Sequence, residues 1–178
     1  ARGNGSAAPA EYNPVGTYMR TVNINAADIG KQRFIITFLG VESGYYLYVN
    51  GRAVGYDEDS FTTGEFDITD YVRAGENLIT VQVYHYTTGS YLENQDMIAY
   101  AGIHRDVFIT KQPKVSIFDY NVETIFKDHD YTSAELDLTV DVSNTADTAA
   151  TRKVRAYLYD NKGNAVSSVN GVEQNVTA

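Results

Sequence analysis

An all-β protein is predicted, one β-sandwich followed by part of a second, and three features of the sequence predict it. Tyrosine, a strand-favouring residue, occurs fifteen times in 178 residues. Asn50-Gly51 lies between two β-rich runs, residues 45–49 and 52–56, and both positions of such a two-residue turn need positive φ, which Asn and Gly adopt at little cost. Short apolar or alternating runs recur along the whole chain with polar turns between them, the spacing of a sandwich.

Taken in order, residues 1–12 are small and polar apart from Tyr12 and carry Gly3-Asn4-Gly5-Ser6, the composition of a flexible entry segment. Residues 17–24 read as the first strand, with Tyr18, Arg20, Val22 and Ile24 on one face. Residues 33–39 are apolar nearly throughout and suit a buried strand. After the Asn50-Gly51 hairpin, residues 65–68 form a further short strand and residues 69–73 a single helical turn. In residues 78–86, Leu78, Thr80, Gln82 and Tyr84 alternate against Ile79, Val81, Val83 and His85, the period of a strand. Residues 87–104 read as one long loop, and loops beyond about 12 residues are uncommon unless they serve a function. Residues 105–111 are a strand that Gln112-Pro113 ends. Beyond it strands are expected at residues 115–125, 134–142, 152–159 and 165–169. Four strands fall short of the roughly seven of an immunoglobulin-type sandwich. The first domain is therefore placed at 13–113 and a truncated second one at 114–178.

The chain is 43% hydrophobic and 21% charged with three prolines, which predicts a packed core. Its formal charge of −9 leaves no basic stripe to neutralise phosphates, so nucleic acid and anionic membrane surfaces are excluded and a neutral ligand fits better. The absence of cysteine removes disulfides, thiolate nucleophiles and cysteine-based zinc sites together. No apolar run approaches the roughly 20 residues of a membrane span, and residues 1–10 have neither the charged start nor the apolar stretch of a secretory signal. A soluble piece is expected, with no cellular address legible.

Gly3-Asn4-Gly5-Ser6-Ala7-Ala8 matches a dinucleotide fingerprint in letters only, since no strand precedes it and no helix follows. His85, His104 and His129 are too scattered to propose a metal cluster. Asp57-Glu58-Asp59 offers hard oxygens to calcium, although an acidic loop tip is more simply solvated. The residue of most interest is Asp96, between Gln95 and Met97 in the long loop. An ionised carboxylate only accepts hydrogen bonds, so it can take them from sugar hydroxyls or coordinate a hard cation, while the plainer reading is a loop acid bonded to nearby backbone.

Residues 13–124 resemble the sugar-binding domain of family 2 β-galactosidases. The resemblance runs through Asn13-Pro14-Val15-Gly16-Thr17-Tyr18, Val49-Asn50-Gly51, Val54-Gly55-Tyr56, Glu65-Phe66-Asp67-Ile68 and Arg73-Ala74-Gly75-Glu76-Asn77. It continues in Gly89-Ser90-Tyr91-Leu92-Glu93-Asn94-Gln95-Asp96-Met97 and in Gly102-Ile103-His104-Arg105-Asp106-Val107. Residues 114–178 are similar, through weaker motifs, to the first immunoglobulin-like domain of the same enzymes. The resemblance implies a galactose-binding-like jelly-roll β-sandwich followed by a partial immunoglobulin-like β-sandwich. It also implies a β-galactoside or related glycan as ligand, and a partner in the catalytic barrel of the same parent chain. That barrel hydrolyses terminal β-galactosides with retention through two carboxylates about 5 Å apart, neither of them in this chain, so no catalytic residue is assigned here.

In that family the acid of the Gln-Asp-Met motif contacts the galactosyl 6-hydroxyl and a bound sodium ion. The resemblance thus gives Asp96 a substrate-binding and sodium-binding role in the complete enzyme, with Asn94 and Gln95 as weaker contacts and magnesium as a further ion of the parent. The role is positioning, a fixed acceptor that orders the sugar without joining proton transfer. Two residues depart from the family pattern: Ile98 stands where many members carry an aromatic residue, and His104 where Phe is common. The upstream segment that adds a sugar contact in some members is not recognisable. Arg105 and Asp106 are read as a strand-start pair bracing the loop. Two rival readings remain, an independent carbohydrate-binding module or adhesin gripping glycans through Tyr45, Tyr46 and Tyr48, and a purely structural accessory domain.

Overall fold

The computed structural model describes residues 8–9, 11–93, 99–127, 129, 131–166 and 172–178. It divides into two compact units, Ala1–Gln112 and Pro113–Ala178, and is almost wholly β.

The first unit is built on an antiparallel sheet of β1 (Val15–Ile24), β7 (Gly75–Tyr84), β4 (Gly44–Val49) and β5 (Arg52–Asp57), in that spatial order. A second sheet runs β6 (Gly64–Asp67), β2 (Gln32–Phe38), β9 (Val107–Pro113), and a short pair joins β3 (Val41–Glu42) to β8 (Gly102–Ile103). Alternation decides what each strand contributes. Tyr45, Leu47 and Val49 of β4 and Ile79, Val81 and Val83 of β7 meet Phe34, Ile36 and Phe38 of β2 in one core. All five residues 34–38 are buried, Thr37 included, as the nearly continuous apolar run predicts.

The turn between β4 and β5 is the expected one, with Asn50 at φ 53° and Gly51 at φ 78°. The asparagine also works through its side chain. Its Nδ2 donates to the Tyr71 carbonyl at 2.9 Å and to Asn77 Oδ1 at 2.8 Å, and its Oδ1 accepts from the Leu78 N–H at 3.0 Å. Two expectations are corrected. β7 starts at Gly75, three residues earlier than the alternation alone suggests, because Gly75 pairs with Ile24 in a ladder whose partner strand is also ten residues long. The span 87–104 is not one loop: it holds α1 (Thr88–Leu92) and β8. Too short to show a period, both are set by capping and by pairing with β3.

Residues 69–73 do make one turn, with the Tyr71 and Val72 N–H groups both bonded to the Ile68 carbonyl. Its entry is fixed by Asp67, whose Oδ1 accepts from the Thr69 hydroxyl at 2.5 Å and N–H at 3.0 Å and whose Oδ2 accepts from Arg33 Nη2 at 2.8 Å. Burial raises the pKa of Asp67, but the Thr69 bonds and the Arg33 charge outweigh it and hold the carboxyl below its ordinary value. A folded pKa below the unfolded one stabilises above the unfolded value of about 3.9 and loses that stability as pH falls through the folded value. With 44% of the side chain exposed, solvent screening keeps the contribution to about 1 kcal/mol or less. Asp67→Asn is expected to lower the urea midpoint at neutral pH, with the gap to the parent chain closing below about pH 4.

The second unit pairs β10 (Val115–Phe126) with β11 (Ala134–Asn144), with a bulge between Ile117 and Asp119, and β12 (Thr151–Ala156) with β13 (Val172–Thr177). The strand expected at 152–159 ends at Ala156. Beyond it Asp160 accepts from the Lys162 and Asn164 N–H groups and closes a turn, so Tyr159 and Ala165 meet only as an isolated bridge. The strand expected at 165–169 is therefore absent at Ala165, and residues 167–169 lie outside those described. β13, unexpected from sequence, pairs with β12 instead. Tyr120, Val122 and Phe126 are half or more exposed. Among the described residues no helix is long and apolar enough to cross a membrane.

Candidate functional site

Asn94, Gln95 and Asp96, the residues proposed from sequence to meet the sugar, lie outside the described residues, as do Met97 and Ile98. What the structure does place is the frame on either side of them.

On the N-terminal side Thr87 caps α1. Its hydroxyl accepts from the Ser90 N–H and its own N–H donates to Ser90 Oγ at 2.9 Å, a reciprocal capping box. Ser43 completes a cluster of three hydroxyls, 2.9 Å from Thr87 Oγ1 and 2.5 Å from Ser90 Oγ. The short helix lies close against the β5–β6 connection: a Cβ on Gly89 would sit 2.8 Å from the Glu58 carbonyl oxygen, so glycine is required there. α1 then ends at Glu93, whose N–H bonds to the Gly89 carbonyl. The Glu93 carboxylate reaches Ser60, Oε1 accepting from the Ser60 N–H at 2.9 Å and Oε2 from its hydroxyl at 2.5 Å. Ser60 is fully buried.

On the C-terminal side Glu42 Oε2 accepts from the Tyr100 N–H at 2.9 Å and the Ala101 N–H at 3.3 Å. Gly102 follows at φ 128° and pairs with Glu42 in the β3–β8 ladder. His104 Nε2 donates to the Ser60 carbonyl at 3.0 Å, and its ring lies 5.9 Å from that of Phe61. His104 thus makes both an aromatic contact and a hydrogen bond. Arg105 Nη1 donates to the carbonyls of Leu39 and Phe61, and the Asp106 carbonyl accepts from the Leu39 N–H, so the pair, just ahead of β9, ties to the β2–β3 and β5–β6 connections and not to the described residues of the 87–104 span. Ser60 is the hub: N–H and hydroxyl go to Glu93, carbonyl to His104.

Ser60 and Glu42 were missed by sequence reasoning. Ser60 bonds across 33 residues and Glu42 across 58, and nothing in their local context announces either partner.

The acids read as possible calcium ligands disperse to separate partners. Asp57 takes the Tyr45 hydroxyl and the Glu58 N–H, Glu58 the Tyr56 hydroxyl, and Asp59 the Phe61 and Thr62 N–H groups. The Thr62 side chain first, then these N–H groups, hold the Asp59 pKa below its ordinary value. Among the described residues no group of three His, Asp or Glu side chains could hold a metal.

The tyrosine face is also split. Tyr45 is 1% exposed and belongs to the core, where burial and Asp57 push its hydroxyl far above the ordinary tyrosine range. Tyr48 is half-buried, and Tyr46 points outward. Its ring is tilted 43° to that of Tyr56 and 72° to that of Tyr84, a herringbone rather than the flat platform a pyranose stacks on. A groove of about 850 Å³ opens between β1 and β9, floored by Phe38, Ile79, Val81 and Ile109, with Asp28 and Lys111 on its rim paired at 2.9 Å.

Residues 4–113 match the family described as glycosyl hydrolases family 2, sugar binding domain. A β-galactosidase of Priestia megaterium is 45% identical over 137 residues, covering 77% of this chain and 13% of that protein. One from Clostridium acetobutylicum is 40% identical over 156 residues, covering 88% and 17%. The chain thus spans about a sixth or less of the length of these curated relatives. Among solved structures, a family 2 glycosyl hydrolase from Bacteroides cellulosilyticus superposes with a TM-score of 0.73 at 26% identity, over 92% of this chain and 21% of that one. Bacteroides uniformis β-glucuronidase 2 gives 0.80 at 20% identity over 94% and 20%, which shows the shared fold alone. With the family model matching well over half of its residues, the chain belongs to the family 2 glycosyl hydrolases, residues 4–113 matching their sugar-binding domain.

Proposed function

We propose that this chain is a non-catalytic domain of a retaining β-galactosidase, and that its 94–98 span contributes one wall of a galactosyl site completed by a catalytic barrel elsewhere in the parent chain. The observation that carries the reading is the frame itself. Both flanks of the span are tied to the sandwich by carboxylates, Glu93 on Ser60 and Glu42 on Tyr100 and Ala101. Hydrogen bonds to ionised acceptors are among the stronger ones, and such anchoring suits a segment that must present one side chain at a fixed place. Galactose is favoured over glucuronate because the relatives at 40–45% identity are β-galactosidases, whereas the similar β-glucuronidase structure stands at 20%.

In this reading Asp96 accepts from the galactosyl 6-hydroxyl and, with Asn94 and Gln95 beside it, orders the sugar while the barrel's two carboxylates do the chemistry. A sodium ion would take an Asp96 oxygen as one ligand and bring a fixed positive charge to the sugar's hydroxyls. Further ligands to that ion, and any magnesium site, are assigned in this reading to the complete enzyme.

The test is Asp96→Asn in the full-length enzyme. Asparagine still accepts through Oδ1 but loses the charge, and the difference between a charged and a neutral acceptor is about 1–1.5 kcal/mol, so kcat/KM for a β-galactoside is expected to fall by about tenfold. The 6-deoxy analogue, a β-D-fucoside, should be affected far less. Unchanged kcat/KM would favour the purely structural domain. Binding of galactose by the 178-residue chain alone, mapping to Tyr46 and Tyr56, would favour the independent module.

A further inference from the structure

The two long sides of the first unit differ. On one side the sandwich is closed, with β5 so near β6 that a Cβ on Gly55 would sit 2.6 Å from the Phe66 ring. On the other side β1 and β9 are each the last strand of their sheet, and between them runs the groove of about 850 Å³. A packed interior leaves few voids larger than a water molecule, so a space of this size is a gap in the core. Its floor is core surface, for Phe38, Ile79 and Val81 are all buried.

The walls are strand edges. Tyr18 and Arg20 of β1 stand opposite Val81 and Ile79 in the ladder, and directly opposed residues share a face, so both lie on the core side. Yet Tyr18 is 43% exposed, and Val107 and Phe108, which line the groove from β9, are 40% and 45% exposed. Apolar surface on two unpaired edges is what proteins ordinarily cover. An added strand matches these features, because it would bond one edge through its backbone and turn alternate side chains onto the floor. A sugar matches them poorly, since Phe38, Ile79, Val81 and Ile109 offer its hydroxyls no partner. The chain spans 13% and 17% of two curated relatives, so in a parent of that size most of the polypeptide lies elsewhere.

We propose that the groove between β1 and β9 seats a further strand of the parent polypeptide, from outside these 178 residues, whose alternate apolar side chains complete the core. The proposal takes from the reading above only that the chain is part of a longer protein, and the role of Asp96 does not enter it.

The test is made in the full-length enzyme. Tyr18 and, separately, Val107 are replaced by the photoreactive p-benzoylphenylalanine, and the peptides linked on irradiation are identified by mass spectrometry. Both positions are expected to link to the same peptide, one from outside residues 1–178 and apolar at every second residue. Hydrogen exchange of the unsubstituted enzyme gives an independent readout. Every second amide of β1 or of β9, those turned away from the strand's own sheet, should exchange about a hundredfold or more slowly than amides of an unpaired edge. Links confined to residues 1–178 of one copy, links to a second copy seen as a species of doubled mass, or free exchange of the outward amides on both strands would each overturn the proposal. Asp96→Asn leaving kcat/KM unchanged would remove the galactosyl reading and leave this one standing.

Discussion

Replacing Asn77 with leucine is expected to destabilise the first unit by about 4 kcal/mol, since each buried polar group left without a partner costs about 1–3 kcal/mol and four are affected. Asn77 is fully buried. Its Oδ1 accepts from the Arg73 N–H and from Asn50 Nδ2, both at 2.8 Å, and its Nδ2 donates to the carbonyls of Arg73 at 2.7 Å and Gly75 at 2.9 Å. Leucine keeps the same branched skeleton but is bulkier, so overpacking adds to the lost hydrogen bonds. Water can reach part of the 73–75 turn, which keeps the total below a simple sum. Because a typical domain is stable by about 5–15 kcal/mol, the change is a large share of the whole. Urea unfolding should show the midpoint falling with the slope unchanged. A shift worth under about 1 kcal/mol would mean that the turn rearranges to satisfy itself.

A comparable loss, about 3–5 kcal/mol, is expected for Phe38→Ala, by removal of buried apolar surface and the cavity left behind. The Phe38 side chain is 1% exposed and its ring centroid lies 4.8 Å from that of Tyr45 and 6.1 Å from that of Phe66, the latter edge-on at 84°. The ring therefore links β2 to β4 across the sandwich and β2 to its neighbour β6. Phe38 also lines the groove between β1 and β9, so some of the cavity can open toward that side, and a result at the lower end of the range would reflect this. Phe38→Leu, which keeps most of the apolar contact, should be clearly milder. Equal losses for alanine and leucine would contradict the cavity account.

Both residues show where sequence reasoning reached and where it stopped. Phe38 sits in a run whose apolar character alone predicts burial. Asn77 looks like an ordinary turn residue, and only the approach of the Asn50-Gly51 turn reveals it as the centre of a network. The same division holds at the candidate site. The long span after β7 and the acids and amides within it stand out by length and composition. The groups that bond its described flanks come from residues 42 and 60, far away in sequence.

The sequence by itself determined the β class, the Asn50-Gly51 hairpin, the two-residue alternation of β1 and β7, and the family. These follow from local causes, namely side-chain alternation at period two, positive φ at a two-residue turn, and collinear motifs. Only the tertiary structure decided that Tyr45 is core while Tyr46 faces outward beside Tyr56. The same is true of the three acids at 57–59, which satisfy separate partners, and of the 94–98 span, flanked by Glu93 on Ser60 and Glu42 on the Tyr100–Ala101 backbone. Each of these depends on which distant backbone or side-chain group a polar atom meets once the sheets have stacked. That is set by the pairing of strands, and no local pattern encodes it.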